Sequence, residues 1–126
     1  GGDRPIVVSY ASSPPAEVIY ADPPVTEAPT GVVTDTCFRQ VEFAGILSGT
    51  QHRAASEALI DFMLTPTFQE DLPLSMFVYP AVESTALPRV FVDHVDTPVA
   101  PHHLDPATIG ANRNMWTERW TDLVLR

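Results

Sequence analysis

Apolar positions along this chain follow two rhythms. Ile6-Val7-Val8-Ser9-Tyr10, Gly31-Val32-Val33 and the longer run from Phe38 to Leu47 have the β-branched and aromatic make-up of strands. The first of them, bounded by Pro5 and a loop of small residues, predicts a strand buried on both faces. Such strands sit in parallel or mixed sheets covered by helices. A helical rhythm takes over from about His52 to Leu64, where Ala55, Leu59, Phe62 and Met63 form one apolar stripe and Thr65-Pro66 stops it. Thr65 then caps a second short helix with Pro66 at its first position, running through Phe68-Gln69-Glu70-Asp71.

Helix starts and breaks fill in the remainder. Ser12-Ser13-Pro14-Pro15-Ala16-Glu17 predicts a helix with Ser13 as N-cap, Pro14 at its first position and Glu17 one turn on. Pro23, Pro24 and Pro29 make the following stretch a loop. Between Pro80 and Pro106 extended connections are expected, with Arg89-Val90-Phe91-Val92 as a short strand or helical turn. Asp105 and Pro106 open a last helix with Ile109, Asn112, Trp116, Trp120 and Leu123 along one side. Gly110 weakens its first turn by about 1 kcal/mol relative to alanine.

Composition narrows the field of partners. A chain of 126 residues, 44% apolar, is enough for one compact domain. Its net charge of -9 argues against a nucleic-acid backbone or an anionic membrane as partner and tolerates a small cation. The single cysteine, Cys37, has no partner for an internal disulfide or a thiolate metal site. No apolar run approaches the roughly 20 residues that span a bilayer. The lead into the first strand lacks the basic start and apolar core of a signal peptide, so an export signal is expected upstream.

Candidate chemistry concentrates at two places. Ser9, Tyr10, Ser12 and Ser13 surround a strand-to-helix turn whose backbone N–H groups and partial positive dipole suit an anionic or polar ligand group. Ordinary capping by Ser13 is the plainer account of the same turn. Phe77 and Tyr79 lie two apart in Met-Phe-Val-Tyr-Pro, and on extended backbone they share a face that can wall a cation site. Core burial is the plainer account of these rings. Trp116 and Trp120 read as a docking face. Asp93, His94, Asp96, His102, His103 and Asp105 invite a metal reading, but intervening prolines favour solvated loop residues. There is no G-x-S-x-G, no glycine-rich phosphate loop and no H-E-x-x-H, so no enzyme and no cofactor is expected.

The order of these segments resembles the C-terminal portion of the solute-binding proteins of ABC importers, in particular the thiamine-binding group, which is related to the iron(III)-binding group. The likeness is carried by Val-Val-Ser-Tyr-Ala-Ser-Ser-Pro, Arg39-Gln40-Val41-Glu42, Asp61-Phe62-Met63-Leu64-Thr65-Pro66-Thr67-Phe68-Gln69, Leu72-Pro73, Val78-Tyr79-Pro80 and Trp116-x-x-x-Trp120. The resemblance implies an α/β chain, a fragment of the two-lobed type II periplasmic-binding-protein fold with incomplete sheets. Residues 1–36 would belong to the second lobe, 37–47 to a strand crossing the hinge, and 48–126 to the helical end of the first lobe. It also implies an extracytoplasmic receptor, anchored by an upstream segment or free, that holds thiamine or a thiamine phosphate in an interlobe cleft and delivers it to ABC permease subunits in the membrane.

By that likeness Ser9, Tyr10 and Ser13 line the cleft, and Phe77 takes the place of a ring-stacking tryptophan. Ala16 stands where some members have a tyrosine, which removes a hydroxyl able to reach a phosphate. Two alternatives stand beside this reading. One is a receptor for iron(III) or another cation, although the paired tyrosines typical of that class are not adjacent here. The other is a fragment with no binding activity of its own that self-associates through open sheet edges.

Overall fold

The computed structural model describes residues 3–125. Gly1, Gly2 and Arg126, which the domain division includes, lie outside the described residues. Five α-helices follow one another: α1 (Ser13–Ile19), α2 (Arg53–Met63), α3 (Pro66–Met76), α4 (Arg89–His94) and α5 (Pro106–Val124), with one 3-10 turn at Thr34–Thr36. α1 lies against α4, and α2 against α3. α5 has no helix packed along it to a comparable extent among the described residues.

Local chemistry explains the helix boundaries. Pro14 and Pro15 occupy the first turn of α1, where a missing N–H costs nothing, and both are buried. The helix begins one residue earlier than its capping pattern predicts, with Ser12 at the N-cap. Glu17, expected to support that cap, instead accepts a 2.6 Å hydrogen bond from Thr30 Oγ1 and ties the proline loop to α1. Thr65 holds the N-cap position of α3, yet its hydroxyl donates backwards to the Phe62 carbonyl at 2.7 Å and so closes α2. Asp105 caps α5 as expected, its carboxylate accepting from the Thr108 N–H at 2.9 Å and from the Thr108 hydroxyl at 3.1 Å.

The expected α/β architecture with incomplete sheets is not what the chain adopts. Among the described residues there is no ladder of strands; one isolated parallel bridge pairs Phe38 with His102. It is held by His102 N–H to the Cys37 carbonyl at 2.7 Å and Arg39 N–H to the His102 carbonyl at 2.8 Å. Ile6 to Tyr10, Gly31 to Val33 and the rest of Phe38 to Leu47 are irregular backbone. The physical reason is that strand propensity expresses fit to a paired, half-buried surface and has little force without neighbouring strands. These runs find no such neighbour, and their side chains stay exposed, Phe43 at 90% and Ile6 at 81%.

The buried core is correspondingly small. Phe91 of α4 is 1% exposed and Val95 beside it is also buried. On the other helix pair the buried polar residue is Gln69. Its amide donates to the Met63 carbonyl at 2.6 Å, while its carbonyl oxygen accepts from Ala81 N–H at 2.7 Å and Val82 N–H at 3.2 Å. One side chain thus joins the end of α2, the body of α3 and the segment after it.

Replacement Gln69→Ala leaves three backbone groups, the Met63 carbonyl and the Ala81 and Val82 N–H groups, without that partner. A loss of about 1–3 kcal/mol in unfolding free energy is expected, read from urea denaturation followed by helical circular dichroism. A second outcome concerns the cap of α5. Hydrogen bonds from the Thr108 backbone and then its hydroxyl hold the Asp105 carboxyl below the usual range. Stability from this cap is present above the unfolded-state value and lost as pH falls through the folded one. The protection factor of the Thr108 amide, its exchange rate relative to the unstructured rate at the same pH, should therefore fall on acidification, and Asp105→Ala should lower it at every pH.

Candidate functional site

α1 places the serine turn, and its packing on α4 carries that turn towards the aromatic residues. The chain turns back at Tyr10, whose carbonyl accepts from Ser13 N–H at 3.0 Å. This brings the Ser9 and Ser13 hydroxyls to 2.6 Å of each other. Ser12 is buried, 5% exposed, and makes no side-chain capping bond. Tyr10 is exposed. The turn therefore presents a pair of coupled hydroxyls beside an exposed phenol ring, a set able to donate and accept towards a polar ligand group.

At the other end of α1, Tyr20 follows the last helical residue and meets Phe77 at 5.7 Å between ring centroids. Phe77 stacks on Phe91 at 6.5 Å and 23°, and Tyr79 meets the same ring edge-on at 5.8 Å and 88°. Phe91 is thus the shared floor for Phe77 and Tyr79. The extended backbone envisaged for Phe77 is replaced by a left-handed turn, φ 55°, at the C-cap of α3. Both rings nonetheless reach Phe91, because the turn reverses direction immediately after the helix. Phe77 and Tyr79 are half-buried, so they belong to the edge of the core and keep a partly open surface.

Tyr79 carries the one marked electrostatic perturbation of this cluster. Its hydroxyl is buried and has no hydrogen-bond partner among the described residues. Burial, with a smaller electrostatic contribution from Cys37, pushes its pKa above the ordinary tyrosine value. The serine turn and Tyr20 stand at opposite ends of α1, on the order of 10 Å apart at 1.5 Å per residue. No hydrogen bond or ring contact joins Ser9, Ser12 or Ser13 to Phe77 or Tyr79.

Tyr20 and Phe91 are the residues that pattern reading missed. Tyr20 stands alone after a short helix, and Val90-Phe91-Val92 has no periodicity that would mark its middle member as the most buried residue. The His/Asp-rich stretch resolves differently: among the described residues no three His, Cys, Asp or Glu side chains gather as a metal cluster. His102 instead makes the bridge to Cys37 and Arg39, with its ring Nε2 3.0 Å from the Asp35 carbonyl.

Known proteins give an independent measure of kinship. The chain is 26% identical over 125 residues to the thiamine-binding periplasmic protein of Escherichia coli (strain K12) and 27% identical over 125 residues to that of Salmonella typhimurium. To that of Brucella suis biovar 1 it is 26% identical over 123 residues. This chain is similar to thiamine-binding periplasmic proteins. The matches take in 99%, 99% and 94% of it. It spans little more than a third of these relatives' own length, 37%, 37% and 35% in the same order. No family model matches the chain, and no solved structure matches it.

Tyr79→Phe removes a buried hydroxyl that nothing among the described residues satisfies, so it should raise stability by about 1 kcal/mol. The raised pKa means the fold favours the neutral phenol. That preference is fully met below the unfolded value, near 10, and stability is lost as pH rises through the folded one. The gap between Tyr79→Phe and the parent chain should therefore widen above about pH 10, measured by denaturant midpoints.

Proposed function

We propose that this chain provides part of the solute site of an extracytoplasmic binding protein that serves an ABC importer, and that the solute is thiamine or a thiamine phosphate. Its match along nearly its whole length to thiamine-binding periplasmic proteins carries the reading. The chain is a binding component and not an enzyme: it needs no covalent chemistry, cofactor or resident metal to do this work. Its partners are the small-molecule solute and the permease subunits in the membrane, and nucleic acid has no part in it. The division into residues 1–36, 37–47 and 48–126 as pieces of two lobes and a hinge belongs to the same reading.

The chemistry of the two candidate elements suits such a solute. Thiamine is a flat cation with a hydroxyethyl tail. Phe77, Tyr79 and exposed Tyr10 offer rings for stacking and cation-π attraction, worth about 0.5–2 kcal/mol each. Ser9, Ser12 and Ser13 at the start of α1 offer hydroxyls and backbone N–H groups for the tail or a phosphate. An acidic chain, net charge -9, also attracts a cation at long range.

A chimera tests this directly: the 125 matched residues of the Escherichia coli relative are replaced by this chain, and thiamine, thiamine phosphate and iron(III) are titrated by calorimetry. Saturable binding of thiamine is expected. Phe77→Ala should weaken it about tenfold, the equivalent of 1.4 kcal/mol. Tyr79→Phe keeps the ring and removes only a buried hydroxyl, so it should stabilise the fold and leave thiamine binding within about twofold, whereas Tyr79→Ala should weaken binding. A folded chimera that takes iron(III) and not thiamine would overturn the choice of solute. One that takes neither would overturn the receptor reading.

A further inference from the structure

The four rings gathered around Phe91 differ in how much of each faces water. Phe91 is enclosed, Phe77 and Tyr79 are half-buried, and Tyr20 is 72% exposed. Most of the π surface that a solute can reach in this cluster therefore belongs to Tyr20, which no sequence pattern marked. Its backbone is fixed, because its N–H donates to the Ala16 carbonyl at 3.0 Å and closes α1. Its ring leans on Phe77 at 5.7 Å and 47°, and Phe77 stacks in turn on Phe91. A flat solute sandwiched between Tyr20 and Phe77 needs about 7 Å between their centroids, two contacts of roughly 3.5 Å each. At 5.7 Å the pair has no such slot, and the place open to a solute ring is the outer face of Tyr20.

We infer that Tyr20 is a further ring of the solute site and the one that responds to charge: a flat heteroaromatic cation lies against its exposed face, with Phe77 and Phe91 behind it. Resting on the receptor reading above, this role adds a residue which that reading does not use. The surroundings suit a positive ring. Between Arg4 and Arg39 the sequence holds Glu17, Asp22, Glu27 and Asp35 and no Arg, Lys or His, and Asp22 is exposed two residues beyond Tyr20. A tyrosine face attracts a cation through its ring quadrupole, an advantage of about two- to fivefold in affinity at an exposed site. An uncharged ring of the same shape gains only the contact area. Tyr20 thus discriminates by the charge of the solute's ring and is indifferent to its tail, so thiamine and thiamine phosphate gain alike from it.

The experiment titrates the whole chain with thiamine and with thiochrome, the flat uncharged oxidation product of thiamine, and follows the tyrosine ring protons by NMR. The chain has three tyrosines, so the Tyr20 signals are assigned by substitution. Thiamine should move them upfield along a saturable curve. Tyr20→Ala should weaken thiamine about fivefold and thiochrome less than about twofold. Tyr20→Trp, which keeps a ring and offers a stronger π face, should bind thiamine at least as well as the parent chain. Both variants should keep the parent's helical circular dichroism, because the side chain is exposed; if Tyr20→Ala does not, Tyr20→Trp decides, and weaker thiamine binding by it would overturn the inference. Saturable binding that Tyr20→Ala leaves within about twofold would overturn the inference and leave the receptor reading standing. Equal losses for thiamine and thiochrome would overturn the response to charge. No saturable shift at Tyr20 would overturn the inference as well, while the chimera decides the receptor reading separately.

Discussion

Burial of Phe91 is the interaction on which the ordered part of this molecule depends. α4 is six residues long, too short to persist in water unaided, and it survives because Phe91 is enclosed by α1 on one side and by the rings of Phe77 and Tyr79 on another. That contact brings residues far apart in the chain together and sets where both candidate binding elements lie. Burying one phenylalanine is worth about 1.5–3 kcal/mol, whereas ordering each residue's backbone costs about 1–2 kcal/mol. A core of this size therefore cannot hold the long apolar runs as well, and they remain outside it.

Helices were legible in the sequence because their signals are local. Ser12-Ser13-Pro14, Thr65-Pro66 and Asp105-Pro106 each mark a helix start through a proline that forgoes only an unused N–H, and Asp105 adds a side-chain cap. The stripe of Leu59, Phe62 and Met63 supplies the periodicity of α2. Strands were misread because their signal is conditional. Val7, Val8, Val41 and Phe43 favour a pleated surface, but a pleated surface requires partners that the sequence of one run does not contain. Arg89 to Val92 sits between these cases, and its choice of helix follows from packing on α1 rather than from any pattern in its residues.

The candidate site was legible to a similar degree and for similar reasons. A turn such as Ser9 to Ser13 is a local object, and the pairing of the Ser9 and Ser13 hydroxyls follows from four residues of chain. The ring cluster is not local: Tyr20, Phe77 and Phe91 meet only through the docking of three elements, and the left-handed conformation of Phe77 has no signature in Met-Phe-Val-Tyr. The proposed function that would use both elements rests on similarity to binding proteins nearly three times as long as the matched stretch. A small core and exposed apolar runs are two expressions of one condition, an ordered framework among the described residues that leaves much apolar surface facing water.

Small-angle X-ray scattering of the isolated chain at low concentration measures that condition most directly. A compact domain of this length has a radius of gyration of about 14 Å. A value well above it, with helical circular dichroism retained, is the expected result. A monomer scattering at the compact value would mean that the apolar runs find their partners within the chain, and the exposed apolar surface would not exist.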